Sequence, residues 1–595
     1  MTPNDFGKLG KFLSFLGLAL IALGFGTWGF RILEPDREFT GHLYRSVQLF
    51  GLESGAVDGP TPPPLELARW LAPLTLAGGL IGLLSSLIGS KIQSIRQTRL
   101  IGHHIICGLG TKGMALAKDL LKDGEKVLAI DPCPDEGHLA DFRKMGGLHI
   151  PLKATNPRHL QSCRIDMAAT FTALTPNDAC NLALTVGIAV AGSLRENNPN
   201  LTIFSHIGGV DFRDLLDRYV SLSTAAQQGV AIRTFNAQAN LARLLLEWHP
   251  LETAGHCDGA TNTNRKIRLV LPALRAEAIA LAVHAARTGH YLGGRKVHFH
   301  LVSSHALMDV ERLRVAYPNF ERCSASLNAT ATNHDGEFTS VVGDIIRSYP
   351  GDCITVFTDF VGSPDSIRDL LLLNEQVPQG MDFRIPMPVE MKPLLASLMS
   401  DRYLFGNRIS WFPKIDDYCG KEAVFGGRLD SISKMIHDNW YSETDIRIRN
   451  LQQKASVAQN DNDRERALDA ARALRARPAF KSWDDLSEGQ KDSNRSQKDH
   501  IAIKVRAAGL DPVKINSTRW LTSCDQNPEL LESLARIEHE RWAAHLWLAG
   551  WKHGPRDDSQ KLHDNLVPYD ELDEETKDYD RNACRLLGKY LPTLA

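Results

Sequence analysis

Three glycines follow a short apolar run near residue 105, and helix-forming residues come directly after them. They are Gly108, Gly110 and Gly113. Glycines at this spacing, between a strand and a helix, let the backbone approach a phosphate group that the helix N-terminus attracts. A second predicted strand, residues 125–131, ends at Asp131, where a carboxylate can accept hydrogen bonds from ribose hydroxyls. The pattern predicts a nucleotide site.

Two apolar, uncharged runs precede this turn, at about residues 12–30 and 70–89. Each has the length that a bilayer-spanning helix requires. Basic residues flank the outer ends of the two runs, and the loop between them is acidic, so the positive-inside rule puts both termini in the cytoplasm. We therefore expect residues 1–100 to form a two-pass transmembrane hairpin in the lipid bilayer. It acts either as an anchor or, in a homo-oligomer, as a pore.

The length and net charge of the chain limit the functional classes to which the protein can belong. The chain has 595 residues and a formal net charge of −2. A chain of this length forms several domains, and its balanced charge gives no basis for expecting a nucleic-acid partner. Ten cysteines show no metal-type spacing, so we expect no metal site.

Three stretches of the region 101–255 resemble the RCK (TrkA-N) family of cytoplasmic ligand sensors. They are His104–Gly110, Val127–Asp131 and Thr175–Asn181. The resemblance implies a Rossmann fold that binds a nucleotide, either NAD(H)-, ADP-ribose- or cyclic-nucleotide-like. Lys153 stands where the family usually has an acid, which favours an additional phosphate. The cofactor-binding residues implied are Gly108, Gly110, Gly113, Asp131, Lys153 and Thr155. No hydride-transfer residues accompany the motif, which indicates sensing rather than catalysis.

Residues 256–415 repeat the alternation of strands and helices without a glycine fingerprint. The predicted strands are residues 267–271, 297–302 and 354–358, and the predicted helices are residues 276–288, 306–316 and 363–374. Such alternation is typical of a parallel sheet with flanking helices, so we expect a second, degenerate Rossmann-like domain. His298 and His300 alternate on one strand, and without further ligands we expect them to face solvent.

The last part of the chain contains an internal repeat. Residues 436–440 resemble 538–542, and residues 483–495 resemble 569–581, at offsets of 102 and 86 residues. The repeat predicts two related helical modules, 425–515 and 525–595, the first with an expanded, charged loop at 464–477.

The second module resembles the RyR domain, the repeat named from ryanodine receptors. The resemblance rests on residues 538–542, 550–558, 566–572 and 580–581, and it implies a mainly helical fold that binds nucleotide-type ligands. Two tryptophans would form an aromatic platform and basic residues would meet phosphates, unless the tryptophans only fill the core. The candidate ligand-binding residues are His539, Trp542, Trp551, Lys552, Arg556, Asp557 and Arg581.

These features predict an oligomeric ligand sensor of the bacterial inner membrane. A nucleotide at the RCK or RyR domain would gate ion flux or membrane disruption, as in a stress or antiphage effector. One alternative is a regulatory scaffold that gates a separate transporter, because the 34–66 loop has no potassium-filter sequence. The other is a membrane-tethered nucleotide-processing enzyme with His539 and Glu540 as acid–base groups. No catalytic nucleophile is recognisable, so we expect the chain not to be an enzyme.

Overall fold

The computed structural model describes residues 3–52, 60–78, 98–153, 160, 162–190, 198, 201–209, 212, 215–216, 231–254, 258–333, 337–358, 364–378, 381, 383–399 and 408–593. The chain divides into two compact units, Met1–Leu100 and Ile101–Ala595.

The first unit begins with the helix Pro3–Leu33. Its span Ser14–Leu33, of 20 residues, is long and apolar enough to cross a membrane. A short helix, Phe39–Gln48, follows it, and residues 63–78 are also helical. Gly29 allows a close approach, because a Cβ there would lie 2.6 Å from the backbone nitrogen of Leu65. The second predicted span, 70–89, lies largely outside the described residues, so the hairpin and its two-pass topology stay predictions.

A six-stranded parallel sheet begins the second unit, with strand order β3-β2-β1-β4-β5-β6. Its strands are β1 (His103–Cys107), β2 (Val127–Ile130), β3 (Leu148–Ile150), β4 (Ala168–Ala173), β5 (Thr202–His206) and β6 (Ala231–Phe235). The flanking helices are Thr111–Lys122, Glu136–Lys144, Asp178–Val190 and Ala237–Trp248. This order reverses between β1 and β4, where doubly wound sheets bind their ligands. The predicted Rossmann-like sheet is confirmed.

A second sheet follows, with order β10-β9-β7-β11 and all four strands parallel. Its strands are β7 (Ile267–Leu271), β9 (Arg295–Ser303), β10 (Ser326–Ala331) and β11 (Cys353–Val356), and the antiparallel β8 (His290–Tyr291) pairs with β9. The helices are Ala276–Thr288, Ala306–Ala316, Glu337–Ser348, Pro364–Gln376 and Lys392–Met399. Beside them, β12 (Ile385–Met387) pairs with β13 (Ile409–Trp411).

The expectation that His298 and His300 face solvent is wrong. His300 is buried and its Nε2 lies 3.2 Å from the Arg268 guanidinium, while Nδ1 of the partly buried His298 lies 2.9 Å from Ser326 Oγ. Protein surrounds the His300 ring, which also lies 6.2 Å from the Tyr349 ring, whereas His298 stays partly exposed. Among the described residues there is no group of three or more metal-ligating side chains placed to hold an ion.

The C-terminal part of the unit is mainly helical. Two short helices, Ile415–Cys419 and Lys421–Val424, lead into the first repeat, whose helices are Ser431–Ser456, Asp461–Arg475, Glu488–Asp499 and Ile501–Ala507. The second repeat has the helices Ser517–Gln526, Pro528–Leu548 and Glu574–Leu586, with β14 (Lys552–His553) paired to β15 (Leu562–His563). The expanded segment of the first repeat is largely helical, since Asp461–Arg475 covers most of it.

The two repeats also share one hydrogen bond, between a histidine ring and a backbone carbonyl oxygen. His437 Nε2 lies 2.8 Å from the Lys481 carbonyl oxygen, and His539 Nε2 lies 2.9 Å from the Val567 carbonyl oxygen. Each carbonyl lies two residues before the matching aromatic residue, Trp483 or Tyr569. The two modules therefore share one local architecture.

One apolar core connects all parts of the second unit. It contains Leu245 of the first sheet's last helix, Phe299 of the second sheet, Ile503 of the first repeat, and Ala544 and Leu548 of the second. Because these side chains pack together, the four predicted domains form one body here, and their boundaries stay predictions.

Candidate functional site

The glycine turn is a tight junction between β1 and the helix Thr111–Lys122. Gly108 has φ of +104°, and a Cβ there would lie 2.7 Å from the Leu174 carbonyl oxygen. A Cβ at Gly113 would lie 2.0 Å from the carbonyl oxygen of Gly108 itself. Any side chain at either position would force the turn apart, so both glycines hold the backbone of the turn in place.

Gly110 differs from the other two glycines. It is the N-cap of the helix, no side chain caps it, and a Cβ there would meet no atom within 4 Å. The first N–H groups of a helix have no intrahelical partners and favour anions. Gly110 therefore leaves open space at the point where a phosphate would approach.

Asp131 follows β2 and braces the glycine turn. Its Oδ2 accepts a hydrogen bond of 2.8 Å from the Leu109 N–H, and its Oδ1 accepts one of 2.9 Å from the Cys133 N–H. A carboxylate has about four acceptor positions, so two of them remain for ribose hydroxyls. Lys153 is exposed just beyond β3, and Thr155 lies outside the described residues.

Three further residues that were not predicted as site residues lie near the carboxyl ends of the strands. The Lys112 ammonium lies 3.4 Å from His206 Nε2, and Asp178 accepts hydrogen bonds from the N–H groups of Gly208 and Gly209. Burial, and then the Lys112 charge, lower the pKa of His206 to about 4, so its ring is neutral at pH 7. The signal was present in the sequence, since Lys112 stands in the first helical turn after the glycines.

A second candidate site is an aromatic cluster in the C-terminal repeat. The Trp542 ring packs edge-on against His563 with centroids 5.0 Å apart, and Trp551 lies 6.2 Å from the same imidazole. His539 is 5.4 Å from Trp542 on the other side. Both tryptophans are partly exposed, so the predicted aromatic platform has accessible surface.

Two guanidinium groups accompany this cluster. Arg556 is exposed, and its Nη1 lies 3.4 Å from His563 Nε2. Arg477, from the first repeat, comes near enough that burial and the Arg556 charge lower its pKa. Within the described part of the chain, no hydrogen bond or ion pair neutralises the Arg477 side chain. We call the space bounded by Trp542, Trp551, His563, Arg477 and Arg556 the repeat cleft.

The other predicted residues of this site are placed differently. Lys552 is exposed on β14. The Asp557 carboxylate accepts hydrogen bonds from Ser559 and Gln560 and shapes its own turn. The Arg581 guanidinium forms ion pairs with three carboxylates, those of Glu532, Glu574 and Asp578. We therefore leave Asp557 and Arg581 out of the repeat cleft.

His539 and Glu540 do not form an acid–base pair in this structure. His539 Nδ1 lies 3.3 Å from the Asp580 carboxylate, whereas Glu540 Oε2 lies 3.7 Å from His290 Nδ1 of the second sheet. The two candidate acid–base groups therefore have separate partners in this structure.

Several solved structures align with parts of this chain. Among solved structures, the crystal structure of a GsuK mutant aligns with a TM-score of 0.35 and 12% identity, covering 69% of this chain and 96% of that one. GsuK bound to ADP aligns with a TM-score of 0.27 and 12% identity over 66% and 98% of the two chains. The GsuK channel bound to NAD aligns with a TM-score of 0.27 and 11% identity over 63% and 81%.

No curated protein matches the chain. Two family models match parts of it: the TrkA-N domain over residues 104–224 and the RyR domain over residues 515–594. The chain therefore carries a TrkA-N domain, which contains the glycine turn, and a C-terminal RyR domain, which contains most of the repeat cleft.

Proposed function

We propose that this protein is a nucleotide-sensing regulator of the ion-channel type, assembled as a homo-oligomer in the bacterial inner membrane. A nucleotide at the TrkA-N domain, at the repeat cleft or at both changes the state of the N-terminal helices. The output is ion flux or loss of membrane integrity, as in a stress or antiphage effector.

The observation that carries this proposal is the charge of the repeat cleft. Arg477 lies partly buried beside a second guanidinium and has no carboxylate in contact. The two positive charges repel each other, and Asp558 pairs with Arg556 at 3.3 Å, which leaves the Arg477 charge without a carboxylate partner among the described residues. An anion beside both arginines relieves the remaining repulsion with charge-assisted hydrogen bonds. A phosphate group is the anion that paired guanidinium groups fit best.

The aromatic side chains supply the second half of a nucleotide site. Base stacking on an aromatic side chain contributes roughly 1–3 kcal/mol per base. Trp542 and Trp551 flank His563 within 6.2 Å, so a base has rings to stack on beside the arginines. A nucleotide is a small molecule that carries both an aromatic base and an anionic phosphate group, so it matches both halves of the site.

The glycine turn supports a second nucleotide site of the same chemical class. Gly110 leaves the helix N-terminus open, and Asp131 retains acceptor capacity for a ribose. The GsuK structures include one bound to ADP and one bound to NAD. Any response of the membrane segments is limited by the difference in ligand affinity between the two states.

The test uses the full-length protein in liposomes loaded with a potassium-sensitive dye. We expect ADP-ribose, NAD or a cyclic nucleotide to trigger flux, and Arg477→Glu to raise the required concentration at least tenfold. Arg475→Glu is the matched control, because Arg475 is an exposed arginine two residues away. Nucleotide binding without flux would favour the alternative, a regulatory scaffold for a separate transporter. Absence of binding to either site would contradict the proposal.

A further inference from the structure

A cavity of about 320 Å³ lies between the first sheet and the first helical repeat. Its size is at the lower end of the range for small-molecule sites, roughly 300–1,000 Å³. None of the residues of the glycine turn or of the repeat cleft lines it. We call it the junction cavity.

Aromatic rings from both sides enclose the interior of the junction cavity. Phe204 and Phe235 come from β5 and β6, and Phe425 and Trp483 come from the helical part of the chain. The Phe204 and Phe425 rings pack across the boundary with centroids 4.6 Å apart. These two rings are in direct contact, so a flat ligand ring would pack beside the pair and not between its members.

The charges on the far wall of the cavity neutralise one another. Asp430 accepts hydrogen bonds from Arg243 at 3.1 Å and from Arg495 at 2.6 Å. Lys491 donates to Glu488 at 3.0 Å. All of these groups are shielded from solvent and already paired, so this wall is rigid and carries little excess charge.

The mouth of the cavity has an excess of positive charge. Lys434 lines it, is exposed, and has no hydrogen bond or ion pair within the described residues. Arg233 pairs only with Asp484 at 2.9 Å, and that carboxylate is 56% exposed. An exposed ion pair opens at small cost, so both cations are available to an anion at the mouth.

We propose that the junction cavity is a third ligand site, for a small molecule with a flat aromatic or heteroaromatic ring and one anionic group. The ring lies between the phenylalanines and Trp483, and the anion meets Lys434 and Arg233. The walls of the cavity come from the TrkA-N sheet and from the first repeat. A bound ligand therefore stabilises the contact between these two parts of the chain.

The experiment measures binding of AMP to the full-length protein in detergent by calorimetry, in a background that carries Gly110→Ala and Arg477→Glu. Each variant is expected to weaken its own site at least tenfold, so AMP binding that keeps its affinity in this background comes from neither site of the proposed function. Ribose 5-phosphate supplies the same anion without the aromatic base. We expect AMP to bind, and ribose 5-phosphate to bind at least tenfold more weakly.

Location is tested by charge reversal and hydrogen exchange. Lys434→Glu should weaken AMP binding about tenfold, whereas Lys454→Glu, an exposed lysine on the same helix, should leave it unchanged. AMP should also slow amide exchange on both walls, in residues 231–240 and 425–434. The proposal is overturned if AMP does not bind, if ribose 5-phosphate binds equally well, if both lysine variants behave alike, or if only one wall is protected.

Discussion

Arg495 and Arg581 occupy the same place in the two helical repeats, and each forms ion pairs with three carboxylates at matching positions. Those of Arg495 are Asp430, Glu488 and Asp492, and those of Arg581 are Glu532, Glu574 and Asp578. In each repeat the arginine connects its own helix to the start of the repeat's long helix. This motif is structural, which separates Arg581 from the ligand contacts that its sequence position predicts.

The two arginines differ in the burial of their partners. Asp430, Glu488 and Asp492 are 9–14% exposed, whereas the Arg581 partners are 39–73% exposed. We expect Arg495→Ala to destabilise the protein by about 3–5 kcal/mol, because it leaves three mostly buried carboxylates with one cation fewer. The matched variant Arg581→Ala should have a much smaller effect. Thermal unfolding of both variants tests this order, and equal losses would contradict it.

Gly110 and Gly113 should separate ligand binding from folding at the TrkA-N turn. Gly110→Ala adds a methyl group in open space at an ordinary φ of −75°, so the fold should persist while nucleotide binding at this site falls at least tenfold. Gly113→Ala places a methyl group against the Gly108 carbonyl and should lower the melting temperature. Calorimetry and thermal unfolding, done on both variants, distinguish the two effects. Unchanged binding in Gly110→Ala would argue against a phosphate at this turn.

The Glu538 carboxylate forms ion pairs with two buried cations, one from each helical repeat. Its carboxylate contacts the ammonium of the fully buried Lys504 and accepts a hydrogen bond of 2.9 Å from Arg541. Despite its burial, the charges of Arg541 and Lys504 hold the pKa of Glu538 well below its usual value. Glu538→Gln should therefore reduce the local stability of the helix Pro528–Leu548 by about 3–5 kcal/mol. Denaturant-dependent hydrogen exchange measures it, with the exposed Glu529→Gln as control.

His539 makes the stability of the RyR domain depend on pH. Burial favours the neutral ring, but the hydrogen bond and charge of Asp580 outweigh it and raise the pKa of His539 above 6.5. The protonated ring thus stabilises the fold below pH 6.5, and this contribution is lost as pH rises through the folded pKa. Between pH 6 and 9 the melting temperature should fall more steeply in the wild type than in His539→Gln. His553→Gln, on the exposed strand β14, should behave like the wild type.

Local sequence patterns predicted two helices of the second sheet well, whereas the helix Glu337–Ser348 was not predicted. The helices Ala276–Thr288 and Ala306–Ala316 begin and end where the sequence indicates. Strand β10 was not predicted, because Ser326–Ala331 is an edge strand with mostly partly exposed or exposed residues and little apolar sequence. Its register with β9 depends on the sheet and not on its own composition.

The candidate sites also differ in how far the sequence alone could predict them. The glycine turn depends on contacts within a few residues, so its spacing was visible in the sequence. The repeat cleft could not be fully predicted, because Arg477 and Arg556 lie in different modules and only the tertiary fold brings them together. The junction cavity depends in the same way on Phe204 meeting Phe425, more than two hundred residues later in the chain.

The helix Pro528–Leu548 contributes side chains both to the repeat cleft and to the apolar core of the second unit. Trp542 faces the repeat cleft, while Ala544 and Leu548, a few residues along, fill the core that the second sheet shares. Close-packed cores have discrete arrangements rather than a continuous range. A displacement of this helix at the cleft therefore requires a second packing of the shared core, because a close-packed core does not absorb a gradual shift.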